Sequence, residues 1–79
     1  MSIPASELKP LYDQMIQYFP QGRCITFLLA NSGKTATQIA HENSVNITYI
    51  SHMINGARTV TPEVRSAVFS ALGFDPWAV

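Results

Sequence analysis

Three helix-start signals crowd into the stretch from Thr35 to Gly73, and this crowding limits the possible folds more than any other feature. Thr35 followed three residues later by Gln38 forms a capping box just ahead of Ile39 and Ala40, which predicts a helix over about 36–42. After the short interruption "NSVN", Asn46 can cap a second helix through Ile47, Ile50, Met53 and Ile54, and Gly56 stands where helices end in a left-handed turn. Thr61 caps a third, with Pro62 in its first position, Glu63 near its positive end, and an apolar face of Val64, Ala67, Val68, Ala71 and Leu72 before Gly73. The helices on either side of "NSVN" are therefore separated by a very short turn.

Upstream, Leu8, Leu11, Tyr12, Met15, Ile16 and Phe19 fall at the three- and four-residue steps of a helical stripe, predicting an N-terminal helix over 6–19. Ser6 can cap it with Glu7 in the first turn, although it could instead begin at Pro10. Pro20 and Gly22 punctuate the chain. "RCITFLLAN" is too short for its period to decide, but Pro20 at a first helical position and the exit "NSGK" favour a buried helix over a strand. The aromatic tail 74–79, "FDPWAV", should dock on something. The expected fold class is all-α: one domain over 1–79, a compact bundle of about five short helices.

A chain of 79 residues buries little of its own surface, yet 47% of this one is apolar and only 13% charged. Some apolar surface should therefore remain for a partner, and a homodimer is the expectation. Cys24 is the only cysteine, which excludes an internal disulfide and a cysteine-based zinc site and fits a reducing, cytoplasmic setting. No apolar run approaches the length of a membrane span, and "MSIPASELKP" does not read as a signal peptide. Five acids and two histidines scattered over separate helices offer no converging catalytic groups, and "NSGK" lacks the upstream Gly of a phosphate loop, so neither an enzyme, a cofactor nor a metal is expected. Five cations balance five anions, so any affinity for nucleic acid must come from placement more than from bulk charge.

"NITYISHMINGAR" is the informative segment. Between the apolar residues that would lock a second helix against a first lie Asn46, Thr48, Ser51, His52 and Asn55, small hydrogen-bonding side chains where a solvated helix usually carries Glu and Lys. Ala40 supplies the small residue that a steep helix crossing needs, and Val45, Ile50, Met53 and Ile39 supply its lock.

On Ile39-Ala40, Val45, Ile50-Ser51, Met53, "NGAR" and the ending "TPEVRSAVFSALGFDP", residues 34–73 resemble the helix-turn-helix domain of the phage repressor and Cro family, also called XRE-type or lambda-repressor-like. The likeness covers about half the chain. It implies a transcriptional regulator, with repression expected, that binds operator DNA as a homodimer through a recognition helix at about 47–55. Carried over by position, Asn46, Ile47, Thr48, Ser51 and His52 would read base edges, with Ile47 at a thymine methyl, Asn46 at adenine and His52 at a purine. Lys34, Thr35, Gln38, Tyr49, Asn55 and Arg58 would contact phosphates. Two positions depart from the pattern. Ser44 stands where the family usually has a left-handed Gly, so that the turn could shift onto Asn43, and Ala36 replaces a Gln that commonly touches phosphate. The alternative from another class is a protein-interaction module on the same fold, an antitoxin or antirepressor-like partner, which should expose apolar residues along the second helix.

Overall fold

The computed structural model describes residues 3–78, with only the backbone at Ala5. Five helices follow in order, α1 (Ala5–Met15), α2 (Gln21–Ser32), α3 (Ala36–Glu42), α4 (Ile47–Ile54) and α5 (Pro62–Leu72), and no strand occurs among the described residues. Each cap signal starts a helix. The Thr35 hydroxyl accepts from the Gln38 amide at 3.3 Å while Gln38 Oε1 accepts from the Thr35 amide at 2.8 Å, completing the capping box of α3. Asn46 Oδ1 accepts from the Thr48 amide at 2.8 Å, and Thr61 Oγ1 from the Val64 amide at 3.4 Å. Gly33, Gly56 and Gly73 all take positive φ where α2, α4 and α5 end.

The nearly all-apolar run proves to be the centre of the molecule. Helix α2 packs against α1, α3, α4 and α5, and its Cys24, Ile25, Leu28 and Leu29 are fully buried. Around them close Leu8 and Tyr12 from α1, Ile39 and Ala40 from α3, Ile50, Met53 and Ile54 from α4, and Val64, Val68 and Leu72 from α5. Burial pushes the pKa of the Cys24 thiol up, and its Sγ lies 3.8 Å from the Phe19 carbonyl oxygen, so the cysteine serves here as a small core residue.

The N-terminal third departs from its sequence reading at four points. The residue capping α1 is Pro4, and Ser6 lies inside the first turn, so Ser6 is no cap. The helix ends at Met15 instead of Phe19, although the stripe runs on; the residue before a proline is driven out of helical geometry, and the chain needs 16–19 to turn into α2. Pro20 occupies the cap of α2, one position earlier than expected, and Gly22 lies within that helix and does not interrupt the chain. A Cβ on Gly22 would run into Asn55 Oδ1 and lie 3.0 Å from the Ile54 carbonyl oxygen and 3.1 Å from Asn55 Cα, so the missing side chain is what lets the end of α4 rest on α2.

The tail docks on its own chain. The Pro76 carbonyl accepts from Gln21 Nε2 at 2.7 Å, Arg65 Nε pairs with Asp75 Oδ2 at 2.5 Å, and the Phe74 ring centroid stands 5.2 Å from that of Tyr12. Phe74 and Trp77 are partly buried against the core, while Val79 lies outside the described residues.

The connection from α3 to α4 keeps its left-handed residue at Ser44, with φ 55°, and does not move it to Asn43. The hydrogen bonds give the reason. The Ser44 amide donates to the His41 carbonyl at 3.2 Å and the Val45 amide to the Ala40 carbonyl at 3.0 Å, a paired closure that fixes which residue turns; Asn43 instead uses Nδ2 to hold the Ile39 carbonyl at 2.8 Å. A left-handed non-glycine residue costs about 1–2 kcal/mol, partly offset by the larger unfolded-state entropy of Gly. Ser44→Gly is therefore expected to raise stability by about 0.5–1 kcal/mol, and thermal unfolding followed by circular dichroism should show a midpoint about 3–6 °C higher. An unchanged or lower midpoint would mean that Ser44 bears no strain.

Candidate nucleic-acid interface

Helix α4 divides into two faces. Ile50, Met53 and Ile54 are buried between 0% and 3% exposure, whereas Asn46, Ile47, Thr48, Ser51, His52 and Asn55 are exposed. Thr48, His52 and Asn55 succeed one another at steps of four and three residues and so form the middle of the outward face, with Ser51 on one flank and Tyr49 on the other. Ile47 adds an apolar contact, 43% exposed, in the first turn.

Both ends of this helix are fixed. Asn46 holds the first turn through its side-chain oxygen, so its amide group offers mainly N–H donors outward and is less free for a two-bond fork to adenine. At the other end, the Gly56 amide donates to the Met53 carbonyl at 3.3 Å and the Ala57 amide to the His52 carbonyl at 2.8 Å, the same paired closure that ends α3. Asn55 Nδ2 donates to Ser51 Oγ at 3.3 Å, which orients both side chains and leaves the Ser51 hydroxyl hydrogen to donate elsewhere. The exposed face is thus a set of short hydroxyl, amide and imidazole groups on a helix whose position is held by its core side and both caps.

Of the predicted phosphate contacts, Asn55 lies instead in the outward row of α4 beyond His52, and the other five fall into two groups. Arg58 Cζ stands 4.7 Å from the Tyr49 ring centroid, so the cation is stacked and aimed just past the end of α4. Tyr49 itself is half-buried against the core and supports this arginine more than it joins the outward row. At the start of α3 lie Lys34, Thr35 and Gln38. Lys34 Nζ pairs with Glu42 Oε1 at 2.8 Å, and Thr35 and Gln38 spend their side-chain oxygens on the capping box. An exposed ion pair of this kind is worth only about 0–1 kcal/mol, so Lys34 can exchange Glu42 for a phosphate at little cost. Neither the Lys34–Glu42 pair, which spans the length of α3, nor the arginine–tyrosine stack is legible in the sequence, because neither lies at a regular helical step.

The outward face can accept and donate hydrogen bonds at several closely spaced points and carries one apolar contact at its start. It brings no paired carboxylates together, and among the described residues no group of three or more His, Cys, Asp or Glu side chains could hold a metal ion. No described helix is long and apolar enough to cross a membrane. Comparison with protein-family models, with curated proteins and with solved structures finds no match to this chain.

Proposed function

We propose that α3 and α4 form a helix-turn-helix of the phage repressor and Cro type, and that the protein is a DNA-binding transcriptional repressor acting as a homodimer, with α4 in the major groove. The observation that carries this reading is the outward face of α4: Thr48, His52 and Asn55 in line, Ser51 beside them, all exposed on a helix pinned by a fully buried opposite face. Such groups match the donors and acceptors of base edges, and the capped ends keep them in register with one another. Arg58 and Lys34 are the cations near the two ends of the pair that would set the helix against the backbone. With so few cations the salt dependence per protomer should be shallow, and two half-sites would double it.

The rival reading, a protein-interaction module, calls for apolar residues along the same face. Ile47 is the single large hydrophobic that α4 leaves exposed.

Two substitutions separate the roles. Thr48→Ala is expected to relax base preference at one position of the site, by about 1–3 kcal/mol of discrimination, whereas Arg58→Ala should weaken binding to all sequences alike and lower the salt slope by about 1. Titration of a panel of single-base variants of the site, at several salt concentrations, reads both. Altered preference from Arg58→Ala and none from Thr48→Ala would reverse the proposed docking.

A further inference from the structure

Asn55 stands in the outward row of α4, yet both ends of its amide are engaged within the chain. Nδ2 donates to Ser51 Oγ at 3.3 Å, and Oδ1 lies so close to Gly22 that a Cβ there would run into it. Helix α2 decides which end goes where. Gly22 is the second residue of that helix, which opens at Pro20 with no side-chain cap, so first-turn N–H groups and the positive end of the helix dipole lie beside the tip of Asn55. A carbonyl oxygen is favoured there over an NH2 group, and the Ile54 carbonyl oxygen comes to the same turn.

Ser51 has one hydrogen and two lone pairs to place. Asn55 Nδ2 takes a lone pair. The hydrogen is not returned to the helix: Thr26 Oγ1 donates to the Gly22 carbonyl at 2.8 Å and Ser32 Oγ to the Leu29 carbonyl at 2.9 Å, whereas the Ser51 hydroxyl makes no such bond in α4. This exposed hydroxyl is held with its acceptor side toward Asn55, and its hydrogen points outward.

We infer that Asn55 is a positioning residue that makes Ser51 a hydrogen-bond donor to DNA, so that Ser51 selects a base edge presenting an acceptor, guanine O6, thymine O4 or a purine N7, over the amino groups of cytosine and adenine. The inference rests on the proposed function and names what one residue of that reading face recognises. A serine hydroxyl left to itself donates or accepts and discriminates little between base edges. The amide of Asn55 removes that ambiguity. Asn55→Asp reverses the polarity with almost the same shape: an ionised carboxylate only accepts, so the Ser51 hydrogen turns inward to it and its lone pairs face the bases. The second carboxylate oxygen keeps its place at the first turn of α2, where negative charge is favoured, and the variant should fold as wild type does.

Selection of bound duplexes from a randomised pool tests this, with the wild-type chain, Ser51→Ala, Asn55→Asp and Asn55→Ala. Ser51→Ala marks the base pair that Ser51 reads, through loss of preference there alone. At that base pair Asn55→Asp is expected to lower the acceptor preference by about tenfold and move it towards adenine or cytosine, and Asn55→Ala, which frees the hydroxyl, to leave all bases within about threefold. The added charge of Asn55→Asp should weaken binding to every sequence and leave the ratios between bases at other positions intact. In the Ser51→Ala background, Asn55→Asp should move no preference at that base pair. Helical circular dichroism checks each variant, and Asn55→Ala alone decides if Asn55→Asp loses helix content. Three results overturn the inference and leave the proposed function standing: Ser51→Ala neutral at every position, a folded Asn55→Asp with the wild-type preference at the Ser51 base pair, or Asn55→Ala that weakens all sequences alike with that preference intact. A folded wild-type chain that selects no motif overturns both.

Discussion

Replacing Gly22 by valine is expected to destabilise the protein by about 3 kcal/mol and lower its thermal midpoint by about 12–24 °C, a large share of the stability of a domain this size. A Cβ at this position falls 3.0 Å from the Ile54 carbonyl oxygen and 3.1 Å from Asn55 Cα, both backbone atoms, so α4 must lift from α2 or the two must shear. The third contact, Asn55 Oδ1, is the end of a side chain that can swing away, and for that reason Gly22→Ala should be milder, about 1 kcal/mol. The valine branches add bulk at the same place. The end of α4 carries Asn55 and holds the Arg58 amide on the His52 carbonyl, so on the proposed function any folded fraction of Gly22→Val should also bind DNA poorly at temperatures well below its midpoint. Thermal and urea unfolding of both variants checks the order. A valine variant as stable as the wild type would mean that α2 and α4 are not in close backbone contact.

The second large effect belongs to Ala40→Leu. Ala40 is 4% exposed on α3, which packs against α4, α2 and α5, and its carbonyl accepts the Val45 amide that closes the turn. An isobutyl group has no free space to enter there and must push α3 from its neighbours. A loss of about 3 kcal/mol or more is expected, enough to leave the domain largely unfolded near 37 °C. Ala40→Gly separates bulk from mere change: it should lose only about 1 kcal/mol through helix propensity. If Ala40→Leu unfolded at the wild-type midpoint, the crossing of α3 and α4 would be looser than the structure places it.

How far the fold was legible in the sequence depends on where its signals are local. Thr35, Asn46 and Thr61 are caps whose effect reaches only to the next turn, and they placed α3, α4 and α5 closely. The outward row of α4 was equally legible, since a buried stripe of Ile50, Met53 and Ile54 leaves Thr48, His52 and Asn55 only one way to point. Misreadings arose where the deciding partner is remote. Gly22 looked like punctuation because nothing beside it in the chain reveals that Ile54 and Asn55 press against it. Ser44 looked a poorer left-handed residue than Asn43, and it is; the pairing of the Ser44 and Val45 amides with His41 and Ala40 overrode that local preference. Phe19 continued the apolar stripe of α1 without continuing the helix, and its ring instead lines the α1–α2 groove. Lys34, expected at a phosphate, pairs with Glu42 eight residues on, a contact that no local helical spacing reveals.

The central claim is that α4 reads base sequence, and selection of bound duplexes from a randomised pool at ~0.15 M salt, where nonspecific attraction to phosphates is already weakened, tests it most directly. The account predicts recovery of an inverted repeat whose half-site centres lie about one helical turn apart. Recovery of no motif by protein shown to be folded and dimeric would contradict it and transfer the outward face of α4 to a protein partner.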